Sequence, residues 1–416
     1  MTDFDVVVIG AGAAGLMCAI SAGRRGRRVL LLEHGPAAGA KILISGGGRC
    51  NFTNIGTVPD RFLSDNPHFC RSALGRYRPG EFVALVQRHG IAFHEKTLGQ
   101  LFCDGSARSI VAMLLAECAA VRVDLRLSHR VTEISRADRF RVDTDHGGFT
   151  SDSLVLATGG LSIPKMGATG FAHDTVRRFG LRLVDPRPGL VPLTFSGAGL
   201  DLMRSLSGVS LDTELTLGRP RFREATLFTH RGLSGPAILQ ISSYWRDGPI
   251  TVNLLPGLDA AAFLLERKRS RPKAELRNVL GEVLPQRLAQ AMAAQGVAAQ
   301  AMAPQTMAPQ PVGTPFSAAT GEPVPTRMAD LPDRMLRDMA STLSAWRVTP
   351  SGTEGYAKAE VTVGGIDTRD LSSRTMQANA VPGLFVIGEA VDVTGWLGGY
   401  NFQWAWASGW CAGEAA

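Results

Sequence analysis

The chain opens with a short unbroken hydrophobic run, FDVVVI over 4–9, closed by Gly10. A run that is apolar on both faces and ends in glycine predicts a buried parallel strand. The stretch from Gly12 to Arg25 is rich in Ala and other small residues and predicts a helix. VLLLE over 29–33 predicts a second strand, completing a βαβ unit. Helical patterning follows at 80–94 and in IVAMLLAECAA over 110–120. Residues 121–150 alternate in strand fashion, as VRVDLRL, RVTEI and FRVDT, and LVLAT over 154–158 predicts another buried strand.

The pattern changes after Pro186. Residues 190–256 hold short apolar runs separated by Gly and Pro, such as LVPLTF, TELTL and ITVNLLP, and predict an antiparallel sheet or barrel. Residues 258–295 predict helices. Residues 296–327, low in charge and dense in Pro, Gln and Ala, predict a flexible surface loop. Helical patterning returns at 331–345, and GLFVIG over 383–388 repeats the strand-then-glycine design of the start. FDVVVIG and GLFVIG can lie side by side in one sheet. The expected fold class is therefore α/β, with a discontinuous Rossmann-type domain formed by 1–189 and 351–416 around an inserted segment.

Composition narrows the function classes. At 416 residues, 45% hydrophobic and 19% charged, the chain has room for two or three globular domains. No apolar run approaches the roughly 18 residues of a membrane span. A strand begins almost at once, so no signal peptide is expected. The six cysteines, at 18, 50, 70, 103, 118 and 411, show no CxxC spacing and hence neither a zinc site nor a redox dithiol. Scattered thiols without a signal point to the cytoplasm. A net charge of +7 suits anionic partners such as nucleic acid or a nucleotide cofactor, and equally a merely soluble surface.

Four glycine-rich motifs follow strands or flank them. In Gly10-Ala-Gly12-Ala13-Ala14-Gly15, Gly10 allows the tight turn, Gly12 admits a pyrophosphate, and Gly15 lets helix and strand pack closely. The helix N-terminus then faces the phosphates. Glu33, 21 residues beyond Gly12, ends the next strand where a carboxylate binds ribose hydroxyls. Ala157-Thr158-Gly159-Gly160 follows the strand at 154–158, and with the first motif it points to FAD. Gly388-Glu389 closes the late strand and resembles the strand end of FAD enzymes, which implies that the acid meets the ribityl chain or a phosphate. The same resemblance implies that Gly398-Gly399, before Tyr400 and Asn401, opens a helix whose amides can face the flavin pyrimidine. The fourth motif runs from Lys41 through Ser45-Gly46-Gly47-Gly48-Arg49-Cys50-Asn51. Its glycines let backbone pass close to a planar ligand, Arg49 and Asn51 supply donors, and Lys41 reaches a phosphate or the flavin. Val131, at the head of a strand, completes the expected cofactor-binding set.

SGGGRCNFTN (45–54), ATGGLS (157–162), LFTHRGLSGPA (227–237), AEVTVGGID (359–367) and GEAVDVTGWLGGYNFQWAW (388–406) resemble the BaiN/RdsA family of NAD(P)/FAD-dependent oxidoreductases, or YhiN-like flavoproteins. PHFCRSALGRY (67–77) and HEKTLGQLFCDGSA (94–107) resemble its RdsA branch. The stretch at 296–327 is longer than that branch usually carries. The resemblance implies a two-dinucleotide-type FAD-binding domain, an inserted β-barrel over 190–256 and about 340–350, and a small helical domain over 257–339. It also implies one of two ene reductions: of a uridine in 23S ribosomal RNA, or of a double bond in bile-acid intermediates. NAD(P)H would visit the flavin transiently, since no second GxGxxG is present. For the first reaction the partner is large-subunit ribosomal RNA, naked or partly assembled. A third reading, of another class, is a non-catalytic FAD-containing RNA-binding or assembly factor.

Reduction of uracil requires hydride at C6 and a proton at C5 from a positioned acid. The expected donor is Cys103, with His230 and Cys70 as further catalytic candidates; His94 and Glu95 are placed to face substrate. Arg71, Arg76, Arg78 and Arg88 are expected at the active-site entrance, against RNA phosphates. The aromatic tail from Trp396 to Trp410 is expected to be buried in the flavin domain rather than stacked on a base. No metal site is expected.

Overall fold

The structure, a computed structural model, describes residues 2–301 and 326–416. It divides into one unit of residues 2–189 with 356–416 and another of 190–355.

In the first unit, β1 (Thr2–Ile9) leads through Gly10 to α1 (Ala13–Arg24) and β2 (Val29–Leu32). The sheet is extended by β3 (Asp124–Arg126), β4 (Val131–Arg136), β5 (Phe140–Thr144), β6 (Gly147–Leu156) and β7 (Leu384–Val386). The strand order is β3-β2-β1-β6-β5-β4, with β7 also on β6. Val6, Val7 and Val8 are wholly buried, as a parallel strand covered on both faces requires.

The length of β6 organises this sheet. Its first half, Gly147–Ser151, pairs antiparallel with β5. Its last residues, Leu154 to Leu156, pair in parallel with β7. β1 runs along its other edge. FDVVVIG and GLFVIG thus share a sheet as expected, but β6 lies between them. Its apolar end, LVL, is the buried segment able to pair on both sides.

The final helix, α2 (Tyr400–Gly413), packs along α1. Cβ atoms built on Gly409 and Gly413 would lie 2.4 Å from the Ala14 carbonyl and 2.5 Å from the Cys18 carbonyl. Only hydrogen at these positions permits the close approach. Trp404 and Trp406 are fully buried beside it, and their indole N–H groups donate to Gly388 O at 3.0 Å and Phe52 O at 2.8 Å. Tyr400, Trp404 and Trp406 are therefore core, while Trp396, Phe402 and Trp410 are half-buried against it. A three-stranded sheet of Asn51–Asn54, Gln100–Cys103 and Phe93–Glu95 completes this unit's functional side. The helix expected over 80–94 ends at Arg88, and Phe93–Glu95 turns into that sheet.

The second unit holds a seven-stranded antiparallel sheet drawn from 193–253 and 346–353. Helices Gly197–Ser205 and Pro236–Ser242 interrupt its strands. Helices Ala260–Ser270, Leu276–Leu280, Gln286–Ala301 and Asp333–Ser344 supply the helical part. The Asp259 carboxylate caps the first of these by accepting Ala262 N–H at 2.9 Å. The stretch 296–327, expected as a loop, is helical at its start. Residues 296–301 continue a helix, in keeping with the high helix propensity of Ala and Gln. Residues 302–325 lie outside the described residues. Among the described residues no helix is long and apolar enough to cross a membrane.

Candidate cofactor and active site

Four parallel strands of the first unit end at one level. Ile9 is in register with both Leu32 and Leu156, and Leu156 with Val386. Gly10, Glu33, Ala157 and Ile387 therefore line a single carboxyl edge, the side on which open α/β sheets bind ligands. α1 starts at this edge. Its N-cap, Gly12, gives it no side-chain cap, so its first N–H groups are available to an anion.

The three fingerprint glycines are held by different constraints. Gly10 has φ +105° and a Cβ there would lie 2.5 Å from Ala157 O. A Cβ on Gly15 would lie 1.9 Å from Gly10 O. One on Gly12 would meet nothing within 4 Å, so Gly12 borders open space. Glu33 sits beside that space: its carboxylate accepts Ala11 N–H at 2.9 Å and Gly35 N–H at 2.8 Å. Its carbonyl accepts His129 N–H at 2.9 Å, which brings the loop leading to Val131 to the same side. The Thr158 hydroxyl is buried at this edge without a hydrogen-bond partner.

Glu389 is the hub of a half-buried polar cluster. It takes the Lys41 ammonium at 2.6 Å, the Ser162 hydroxyl at 2.6 Å and Thr362 N–H at 3.0 Å. Lys41 also donates to Ser162 at 2.7 Å. Burial alone would raise the Glu389 pKa, but the Lys41 charge and these hydrogen bonds outweigh it and hold the carboxyl below its ordinary value. A Cβ on Gly160 would strike Thr362 Oγ1 at 2.4 Å, so the ATGG turn is seated on this cluster. Lys41 and Glu389 were both expected at the cofactor. Their pairing with each other and with Ser162 and Thr362 was not.

The triple-glycine loop rests on the three-stranded sheet. Gly46 and Gly47 are left-handed, and the position of a Gly46 Cβ is 2.7 Å from the Phe102 ring. Ser45 Oγ donates to Ile42 O at 2.8 Å, and Cys103 N–H donates to Arg49 O at 3.0 Å, leaving the Arg49 side chain exposed. The Asn51 amide meets the Gln100 amide at 3.0 Å. A Cβ on Gly398 would contact Gln100 at 2.9 Å, and one on Gly399 would lie 2.5 Å from Thr53 O. Asn401 closes the loop before α2 by accepting Gly395 N–H at 2.8 Å and donating to its carbonyl at 2.9 Å. The Tyr400 hydroxyl accepts from Arg61. The triple-glycine loop and the glycines that open α2 thus meet on Gln100 and Phe102.

The chain matches the HI0933-like protein Rossmann domain over residues 4–415. It belongs to the HI0933-like family. It is 47% identical over 100% of its length to the Escherichia coli protein "Ribosomal RNA dihydrouridine synthase", covering 98% of that protein. A Haemophilus influenzae protein of the same name is 41% identical over 98% of this chain and 97% of its own. "3-dehydro-bile acid delta(4,6)-reductase" of Clostridium scindens is 29% identical over 98% of each chain. In fold, the chain is similar to a 3-ketosteroid-delta4-(5alpha)-dehydrogenase from Rhodococcus jostii, with TM-score 0.50 and 16% identity over 99% of this chain and 96% of that one.

This HI0933-like protein is an FAD-type Rossmann protein, and its site fits that cofactor. Open space at Gly12, an uncapped helix start and an unpartnered Thr158 hydroxyl lie together on one sheet edge. Among the described residues no cluster of His, Cys, Asp and Glu is arranged to hold a metal.

The expected catalytic residues fall on separate elements. Cys103 is buried, and alternation places it with Leu101 on the strand face opposite Gln100 and Phe102. Burial pushes its thiol up to about 11. Cys50 lies close by in a left-handed conformation and is pushed up to about 12 by burial. Cys70 is packed in the core, its sulfur 4.0 Å from Pro59 O, with burial raising it to about 11. His230 is an exposed residue of the second unit, in a tight turn between two strands. The sequence places His94 only as a residue that faces substrate. It shares the face of Phe102, its backbone partner, and its Nδ1 is 2.6 Å from Asp104. No spacing in the sequence marks that pair, because a strand turn separates its members.

Of the arginines expected at the active-site entrance, Arg76 lies elsewhere. Arg76 stacks 4.8 Å over Trp410 and donates to Cys411 Sγ at 3.6 Å. These residues are at the far end of α2, about 15–20 Å along the helix from Gly399.

Proposed function

We propose that this protein is an FAD-dependent reductase that converts a uridine of 23S ribosomal RNA to dihydrouridine, with NAD(P)H as electron donor. The observation that carries the proposal is its near-complete overlap at 47% identity with a ribosomal RNA dihydrouridine synthase, against 29% with a bile-acid reductase. It acts in the cytoplasm, where its RNA is made.

Gly12 and the α1 N-terminus would hold the pyrophosphate, and Glu33 the adenosine ribose. Lys41, Glu389, Thr158 and Ser162 would serve the middle of the cofactor, and the Gly46–Asn51 loop and Gly398–Asn401 its flavin end. The chemistry that FAD would supply when bound is hydride for uracil C6. The protein's own residues orient the base and deliver the proton to C5. The target uridine must be unpaired or flipped out to reach the ring, which favours naked or partly assembled RNA. Cys103 is the first proposed donor: a thiol pushed to about 11 keeps its proton at neutral pH. A second donor is favoured by one observation, the exposed His94 imidazole oriented by Asp104.

Mass mapping of 23S ribosomal RNA from a strain lacking the gene tests the proposal. One dihydrouridine should be missing, and purified holoenzyme with NADH or NADPH should restore it on naked or precursor RNA. Failure on both RNAs with turnover of a steroid enone would establish the small-molecule reading instead. A bound flavin that neither nicotinamide reduces would point to a non-catalytic RNA-binding factor.

A further inference from the structure

Arginines gather where α1 and α2 end, at the opposite end of both helices from the glycine motifs. Arg25 donates to Gly413 O at 3.0 Å and to Ala416 O at 2.9 Å. Arg76 donates to Arg374 O at 2.6 Å and lies on the Trp410 ring. Tyr77, next in sequence, packs against the same indole at 5.9 Å, and the charges of Arg24 and Arg88 act on its hydroxyl. Arg27, Arg28, Arg78 and Arg374 are exposed in the adjoining turns and loops. Arg122 belongs here too, because Val121 packs on Gly23.

The acidic residues at this end are fewer. Arg24 and His89 share Glu117, and Arg28 meets Asp5 at 3.7 Å. Glu81 and Glu414 are further carboxylates close by, and Asp3 acts on Arg28 beside Asp5. Arg76 is held by a carbonyl, a sulfur and an aromatic face, none of which neutralises it. A guanidinium so placed keeps its full charge and a fixed direction, as phosphate recognition requires.

We infer that this arginine surface is a second RNA contact, binding backbone phosphates that flank the target uridine. α1 has 12 residues and therefore spans about 18 Å. The surface is thus remote from the flavin and holds a different part of the same RNA. The inference rests on the ribosomal RNA reading. Contacts of this kind fix position and register and carry no base sequence.

The test uses flavin-loaded full-length protein with Arg27→Glu and Arg78→Glu combined, and Arg27→Lys with Arg78→Lys as the charge-conserving control. Both sites are exposed and outside the cofactor cradle. Affinity for a 23S ribosomal RNA fragment is measured across a salt series, and flavin content and its reduction by NAD(P)H are measured alongside. The Glu variant should bind about tenfold or more weakly at low salt, and its salt slope should fall by about 1 to 2. The Lys variant should bind like the parent, and flavin reduction should be unchanged in both. Equal affinity and slope in the Glu variant and the parent would overturn the inference. So would absence of salt-dependent RNA binding by the parent. Salt-dependent binding that weakens in the Glu variant, without dihydrouridine formation by the parent, would retain the surface and reject the proposed reaction.

Discussion

Substitution of the three fingerprint glycines should separate cofactor binding from folding. Gly12→Val places a side chain in space that no protein atom occupies within 4 Å of its Cβ, at an ordinary φ of −82°. Its cost to the apoprotein should be confined to a poorer N-cap, about 0.5–1 kcal/mol. The same side chain stands where the pyrophosphate must pass, so the purified protein should be colourless. Gly10→Ala meets the opposite situation. The backbone at φ +105° costs about 1–2 kcal/mol with a Cβ present, and the 2.5 Å approach to Ala157 O adds about 1–3 kcal/mol of overpacking. Gly15→Ala, at 1.9 Å from Gly10 O, should be at least as damaging. Apoproteins must be compared, because bound FAD stabilises the native state by mass action. Flavin absorbance per chain and denaturant unfolding of stripped protein give the two readouts. A Gly12→Val protein that keeps one FAD per chain would refute the assignment of this glycine to the pyrophosphate, as would an apoprotein destabilised as much as Gly10→Ala.

Lys41→Met should destabilise the protein by about 2 kcal/mol at neutral pH, less than a wholly buried pair because water reaches both partners. In the parent the Glu389 pKa is depressed, so its stabilising contribution is present above the ordinary carboxylate range and is lost as pH falls through the folded value. In Lys41→Met, burial acts without the ammonium and the sign reverses, so the deficit should shrink on acidification; unfolding at pH 5 and pH 8 measures this. Cys103→Ala should reduce its flavin normally yet form little dihydrouridine if the thiol is the donor, and parental rates in that variant with loss in His94→Gln would assign the proton to the imidazole. Trp404→Ala removes a fully buried indole and its bond to Gly388 O, and should cost about 3–5 kcal/mol by denaturant unfolding.

Much of the first unit is legible in the sequence because its constraints are local. The βαβ start was readable since a two-faced buried strand has to be apolar throughout, and the turn after it leaves room only for glycine. The small residues of α1 signalled a helix, but their reason, the approach of Gly409 and Gly413, depends on the far end of the chain. The place of β6 between the two glycine-ended strands was hidden, because which strand pairs on both edges is set by length and register. Helix Pro236–Ser242 lies within a stretch whose pattern predicts strands. Its Gly-Pro start resembles a turn, yet proline suits the first turn of a helix. The Lys41–Glu389 pair joins residues 348 apart and leaves no periodic trace. Arg76 follows the triple-glycine loop in sequence, which suggests the entrance, but the helix carrying it turns that side chain onto Trp410.

The two ene reductions associated with this fold differ less in their chemistry than in what must be held. Uracil and a steroid enone both accept hydride at the carbon β to a carbonyl, so a cradle for the flavin does not choose between them. A steroid offers apolar surface and is bound by enclosure. A ribosomal RNA segment offers phosphates far from the reacting base, and charges remote from the flavin then contribute to affinity through counterion release. Arg76 is fixed on Trp410, about 15–20 Å from the flavin side along α2, and serves no evident purpose for a small apolar substrate. Its position is understandable if the substrate is a polyanion that extends past the flavin to the other end of both helices. Activity on a short oligonucleotide holding only the target loop should therefore be insensitive to this surface, while activity on a longer fragment should depend on it through KM and leave kcat unchanged. Equal loss on both lengths would mean that the arginines act through the fold and not through the RNA.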